Sequence, residues 1–149
     1  MEQRYIDSLT EICGKANVFY EMADIERYLY DETEEYVRPK ACEDCIVVRP
    51  GTYEEVSEIL KWANQELVPI IPRGGGTGAC GAAIPTEPSV IMSMERFRKI
   101  VEVDETNMMI TCQTGVTLAS LNEYLAKNVH ALYFPCHPGD EGAQVGGMC

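Results

Sequence analysis

The sequence predicts an α+β fold that opens on a small parallel strand–helix–strand unit. Three observations carry this. Cys45-Ile46-Val47-Val48 is a short apolar run closed by Pro50-Gly51, the pattern of a buried strand. Thr52 with Glu55 three residues on forms a capping box, and Val56, Ile59, Leu60 and Ala63 then share one helical face. Val68-Pro69-Ile70-Ile71-Pro72 is a second strand, whose prolines place it at an edge or an end. This order suits a right-handed parallel crossover.

The other elements follow from the same periodicities. Ile6, Leu9, Ile12 and Cys13 are spaced for one face of an N-terminal helix. A short helix is expected around Ile25–Leu29, with Pro39 closing an irregular stretch. The helix capped by Thr52 should end near Asn64–Gln65. Val90–Met94, Ile100–Asp104 and Met108–Gln113 read as strands, the last two joined by a hairpin turn at Glu105-Thr106-Asn107. Thr117 caps a helix carrying Leu118, Leu121, Tyr124 and Leu125 on one face. Ala131–Phe134 is predicted to be a final short strand. These elements divide the chain into an N-terminal helical and irregular segment, 1–44, and a domain over 45–149.

Composition narrows the function. The 149 residues carry a formal net charge of −12, which argues against nucleic acid or an anionic membrane as partner. The acidic run Glu21–Glu35 reads as a solvated face. No apolar run is long enough to span a bilayer, and the start lacks the pattern of a signal peptide. Seven cysteines without framework spacing read as free thiols in a reducing compartment, so a cytoplasmic location is expected. Cys42 and Cys45 form a lone C-x-x-C without the second pair that zinc or an iron–sulfur cluster wants, and no metal is predicted.

The chemistry lies in Pro72-Arg73-Gly74-Gly75-Gly76-Thr77-Gly78-Ala79-Cys80-Gly81. Its last six residues match G-x-G-x-x-G, the dinucleotide fingerprint. That fingerprint needs a helix directly after the glycines, and Pro85 and Pro88 stand where its first turns would be. A nicotinamide-binding Rossmann protein therefore stays a minor alternative. A Walker loop needs Lys and then Ser or Thr after its last glycine, and Ala82 follows Gly81. Five glycines in eight residues point instead to backbone that must approach something closely. The favoured reading is a nest of amides for phosphate or pyrophosphate, with Arg73 at its mouth and the Thr77 hydroxyl as a further donor.

A second glycine-rich stretch, Pro135–Cys149, closes the chain. With both loops in view the sequence resembles the FAD-binding domain of the vanillyl-alcohol oxidase / p-cresol methylhydroxylase flavoproteins. Within them it is most similar to the branch of glycolate oxidase D subunits and D-lactate dehydrogenases. CIVVRPGTYEEVSEILKWAN, VPIIPRGGGTGACGAAIP, SVIMSMERFRKIVEVD, TCQTGV and YFPCHPGDEGAQVGG carry the likeness, over about residues 45–149. It implies a PCMH-type fold of two subdomains, a small parallel one and the start of a larger mixed one, with FAD between them. Arg73, Gly74, Gly75, Gly76, Thr77 and Gly78 would wrap the FAD pyrophosphate. Pro138, Gly139, Asp140, Gln144, Gly146 and Gly147 would line the second wall.

Some relatives attach FAD through a histidine in the first loop. Thr77 stands at the matching position, which implies non-covalent FAD. The resemblance further implies oxidation of a small 2-hydroxy acid by hydride transfer to flavin N5. Electrons would pass to an electron-transfer flavoprotein, a quinone or an iron–sulfur subunit. No catalytic residue is assigned within the chain. His130 reads as a helix-end residue, and His137 is not assigned as the base. Cys80, Cys136 and Cys149 read as small packing residues near the loops. Since the chain stops inside a glycine-rich loop, it is expected to be the N-terminal piece of a longer protein. A truncated FAD-binding module without activity of its own is the alternative.

Overall fold

A computed structural model of the chain describes residues 1–129, 131–135 and 140–148. Two sheets organise it. The first has strands β1 (Val18–Phe19), β2 (Cys45–Val48), β3 (Ile70–Arg73) and β4 (Ser89–Ser93) in the order β1-β2-β4-β3. β4 runs parallel to both β2 and β3, and β1 pairs antiparallel with β2. The second is a hairpin of β5 (Ile100–Asp104) and β6 (Met109–Cys112). This is the α+β architecture read from the sequence.

β2 and β4 are buried throughout, including Ser89 and Ser93 at the ends of β4, because both faces of the sheet are covered. On one face Ile46, Val48, Val90 and Met92 pack against Leu9 and Cys13 of α1 (Gln3–Cys13) and Ile59 of α3 (Tyr53–Glu66). Tyr5 and Trp62 lock the two helices edge to face, 5.3 Å between ring centroids. On the other face Cys45, Val47 and Ile91 meet Ile25, Leu29, Ala41 and Ile84. Each fully buried branched side chain contributes about 1.5–3 kcal/mol. Residues 1–44 thus supply packing on both faces of the sheet, together with its β1 edge.

Local chemistry sets the boundaries. The Thr52 hydroxyl accepts from Glu55 N at 3.1 Å, while the Glu55 carboxylate accepts from Gly51 N at 2.7 Å. α3 ends at Glu66, slightly beyond the expected stop, because Leu67 takes a left-handed cap at φ 55°. β3 is an edge strand, as its prolines require. The short N-terminal helix, α2 (Met22–Ile25), begins earlier than expected and passes into a 3₁₀ turn over Glu26–Tyr28.

β5, β6 and α4 (Leu118–Asn128) enclose a separate small core of Val116, Leu121, Leu125 and Val129. The strand expected at Ala131–Phe134 does not form; these residues are a turn and irregular chain. Leu132 and Phe134 still pack on this core, so their hydrophobicity is satisfied by side-chain burial without ladder hydrogen bonds. A four-residue helix, α5 (Val145–Met148), ends the described chain.

Candidate functional site

The first glycine loop leaves the C-terminal end of β3 and reaches β4 without forming a helix; Gly81–Pro88 is turns and bends. The helix that a Rossmann site needs is therefore missing. Gly76 takes φ 75°, and a Cβ there would lie 2.1 Å from Arg73 Nη2. Only glycine lets the guanidinium pass under the loop.

Arg73 corrects the sequence expectation. Its side chain does not stand at the mouth of the loop but turns inward, 6% exposed. Nη2 donates to the carbonyls of Tyr30 (2.8 Å) and Arg27 (3.2 Å). These acceptors belong to the N-terminal segment, so the preference is tertiary. Burial lowers the Arg73 pKa from its ordinary value, and the charges of Asp31 and Tyr28 work against that shift. Nη1 is buried without a partner.

Residues 28–42 brace the same loop from outside. Glu32 N donates to Gly78 O at 2.9 Å, and Cys42 N to Pro85 O at 2.8 Å. Asp31 is 8% exposed and accepts from Thr33 N at 3.0 Å. Burial alone would raise its pKa, but hydrogen bonding from Thr33 and the amides of Ala83 and Gly81 outweighs it and holds the carboxyl low. Asp31 is not among the site residues that the sequence suggests. The only local signal is the Asp31-x-Thr33 turn, lost in an acidic run.

The second loop is fixed by the start of α4. Thr117 caps that helix, accepting from Ser120 N at 3.2 Å. Leu118 N then donates to Ala143 O (2.9 Å) and Ala119 N to Glu141 O (3.1 Å). Asp140 turns its carboxylate back onto its own loop and accepts from Gly142 N. Gly146 N donates to Thr114 O at 2.9 Å. Pro138 and Gly139 lie outside the described residues, as do His130, Cys136, His137 and Cys149.

The two loops meet. A Cβ on Gly75 would lie 2.4 Å from Gly142 O, and one on Gly74 would touch the Gln144 side chain at 3.5 Å. Between them opens a cleft of about 450 Å³. Gly74, Gly75, Gly76, Thr77 and Gly78 line it from the first loop, Gln144 and Gly147 from the second. Ala83, Ala143 and Met148 give it apolar wall. Arg73, Asp140 and Gly146 do not line it. Gln144 Oε1 is buried and has no hydrogen-bond partner among the described residues. Side-chain-free backbone, an orphaned polar atom and an apolar wall fit a large ligand with a phosphate centre and a flat apolar end. Among the described residues, no group of three His, Cys, Asp or Glu could hold a metal.

A non-helical glycine loop at a sheet edge, closed by a second glycine loop, defines a nucleotide-cofactor domain of other than Rossmann type. Residues 45–149 match the FAD binding domain family, and the chain belongs to it; its cofactor is FAD. It is 46% identical over 123 residues to a D-lactate dehydrogenase of Archaeoglobus fulgidus, covering 83% of this chain and 27% of that protein. It is 32% identical over 132 residues to the glycolate oxidase subunit GlcD of Bacillus subtilis, covering 89% and 27%. The fold matches p-cresol methylhydroxylase with substrate bound, at a TM-score of 0.80 and 20% identity, over 94% of this chain and 27% of that one. The chain thus spans about a quarter of the length of these relatives. Its relatives also include FAD-linked oxidoreductases of Mycobacterium tuberculosis, 36% identical over 138 residues, covering 93% of this chain and 29% of those proteins.

Proposed function

We propose that this chain is the N-terminal, FAD-holding part of a dehydrogenase of small 2-hydroxy acids of the glycolate or D-lactate type. The observation that carries the reading is the contact of Gly75 with Gly142, which joins the two loops over one cleft. The likeness to a D-lactate dehydrogenase and to GlcD supports the substrate class.

Bound FAD would supply the two-electron redox chemistry as hydride acceptor. The chain's own residues bind and orient it. Amides of Gly74–Gly78 and the Thr77 hydroxyl hold the diphosphate by the nest geometry. Gln144 Oε1 accepts from a ligand hydroxyl or N–H, which removes the cost of its isolation. Gly147 lets the cofactor pack directly on backbone. Arg73 and Asp31 act behind the loop and keep its shape. Asp140 and Gly146 act likewise behind the second loop. Thr77 has no nucleophilic nitrogen, so FAD is held without a covalent bond.

No catalytic base or substrate pocket is assigned to residues 1–149. Electrons leave to an electron-transfer flavoprotein or an iron–sulfur subunit, in the cytoplasm. The 149 residues by themselves are expected to bind FAD weakly and to show no turnover. The test is FAD titration of the full-length protein followed by anaerobic reduction with D-lactate and glycolate. Bleaching of the bound flavin is expected. A protein that takes up FAD but is reduced by neither acid overturns the substrate class. One that binds NADH and not FAD overturns the whole reading.

A further inference from the structure

The glycine loop has a second side. Beside the amide-lined cleft, with which it shares Gly74, Gly75 and Gln144, lies a pocket of about 230 Å³ that Arg73, Arg27 and Arg98 help to line. It shares Arg27, Glu95 and Arg98 with an outer groove of about 540 Å³, which adds Arg49, Arg96 and Asn17. The groove therefore holds four of the chain's 12 basic residues but only one of its 24 acidic ones. In a chain of net charge −12 this concentration runs against the overall field.

The internal bonds leave cationic capacity over. Glu95 takes Arg49 Nη1 at 2.9 Å and the Tyr28 hydroxyl at 3.2 Å. Glu55 reaches Arg96 only at 3.7 Å, from the rim. Arg27 spends Nη2 on Tyr28, Arg96 spends Nη1 on Arg49 O, and Arg98 spends Nε on Glu95 O. Nη1 of Arg27 and both Nη atoms of Arg98 have no hydrogen-bond partner among the described residues. Arg49 Nε and Arg73 Nη1 are buried and have no hydrogen-bond partner among the described residues. Arg73 is more than nine-tenths buried and lines the inner pocket, so its unused donor is a built feature of the site.

We infer that this trench, running from Arg73 out past Arg27 and Arg98, binds a small multivalent oxyanion of the phosphate or diphosphate class, at a place separate from the FAD cleft. Guanidinium forks match phosphate oxygens two at a time. Four guanidiniums around one carboxylate repel one another, and a dianion relieves that repulsion. The inner pocket, of about 230 Å³ with the buried Arg73 guanidinium in its lining, suits a small free oxyanion.

The experiment is calorimetric titration of inorganic pyrophosphate into the FAD-saturated full-length protein at low ionic strength. FAD occupies the amide face, so binding that survives saturation reports the trench. Arg27→Gln and Arg98→Gln are each expected to weaken pyrophosphate about tenfold. Lys61→Gln, which removes the same charge from α3, is expected to leave it unchanged. FAD affinity, read by flavin fluorescence, should hold in all three variants. Absence of binding to the FAD-loaded protein overturns the inference, whether or not the ion binds the FAD-free form. So does an equal loss in Lys61→Gln, which would reduce the effect to overall charge. An FAD-free protein that never takes up flavin defeats the functional reading instead, and pyrophosphate binding by that form with the same variant pattern still supports the trench.

Discussion

Gly75 and Gly142 touch so closely that a Cβ on Gly75 would lie 2.4 Å from the Gly142 carbonyl oxygen. These residues come from loops far apart in the chain, and their contact shapes the cleft. Gly75→Ala must push the loops apart, at about 1–3 kcal/mol. A lowered melting temperature and weaker FAD binding are expected together. At Gly147 a Cβ meets nothing within 4 Å. Gly147→Ala should therefore keep the melting temperature and lose FAD affinity alone. Paired thermal melts and flavin titrations check both, and full FAD affinity in Gly147→Ala would remove that residue from the cofactor wall.

Asp31 holds the first loop from a segment outside it. Its pKa is depressed in the fold, so its stabilisation is fully present above the unfolded value near 3.8 and fades as pH falls through the lower folded value. Asp31→Asn is expected to cost about 1–3 kcal/mol at neutral pH. The gap to the unsubstituted protein should shrink below about pH 4. Melting curves of both proteins across this range test it; a gap that stays constant into acid would show that the charge is irrelevant.

Thr117 couples a helix cap to the second loop. Thr117→Ala should destabilise the protein by about 1 kcal/mol, and Thr117→Ser should restore most of that. Denaturant melts measure the loss. Because Leu118 and Ala119 donate to loop carbonyls, faster amide exchange at these two residues is expected in the alanine variant only.

The cysteines separate by burial. Burial pushes the Cys13 thiol up to about 11, with the charge of Glu55 adding to the rise and Arg96 opposing it. Cys80 is exposed in the first loop. Alkylation at pH near 8 followed by peptide mass spectrometry should label Cys80 in the native protein and Cys13 only after unfolding. Native labelling of Cys13 at the rate of Cys80 would contradict the packing of α1 on the sheet.

The sequence alone determined what depends on neighbours along the chain. The capping box at Thr52, the cap at Thr117 and the proline-marked edge at β3 are all set by residues within a turn or two, whereas the alternation expected over Ile100–Asp104 is broken by an irregular register between Ile100 and Glu102. The prolines after Gly81 likewise exclude a Rossmann helix by local sterics. Only the tertiary structure decided the rest. β4 inserts between β2 and β3, the N-terminal segment covers both faces of the first sheet, and Ala131–Phe134 packs without pairing. Arg73 shows the reason most plainly. Its position and charge are legible in PRGGG, but its direction is set by carbonyls of Arg27 and Tyr30, more than forty residues away. A side chain turns toward the acceptors that folding brings near it, and no local pattern records which those are.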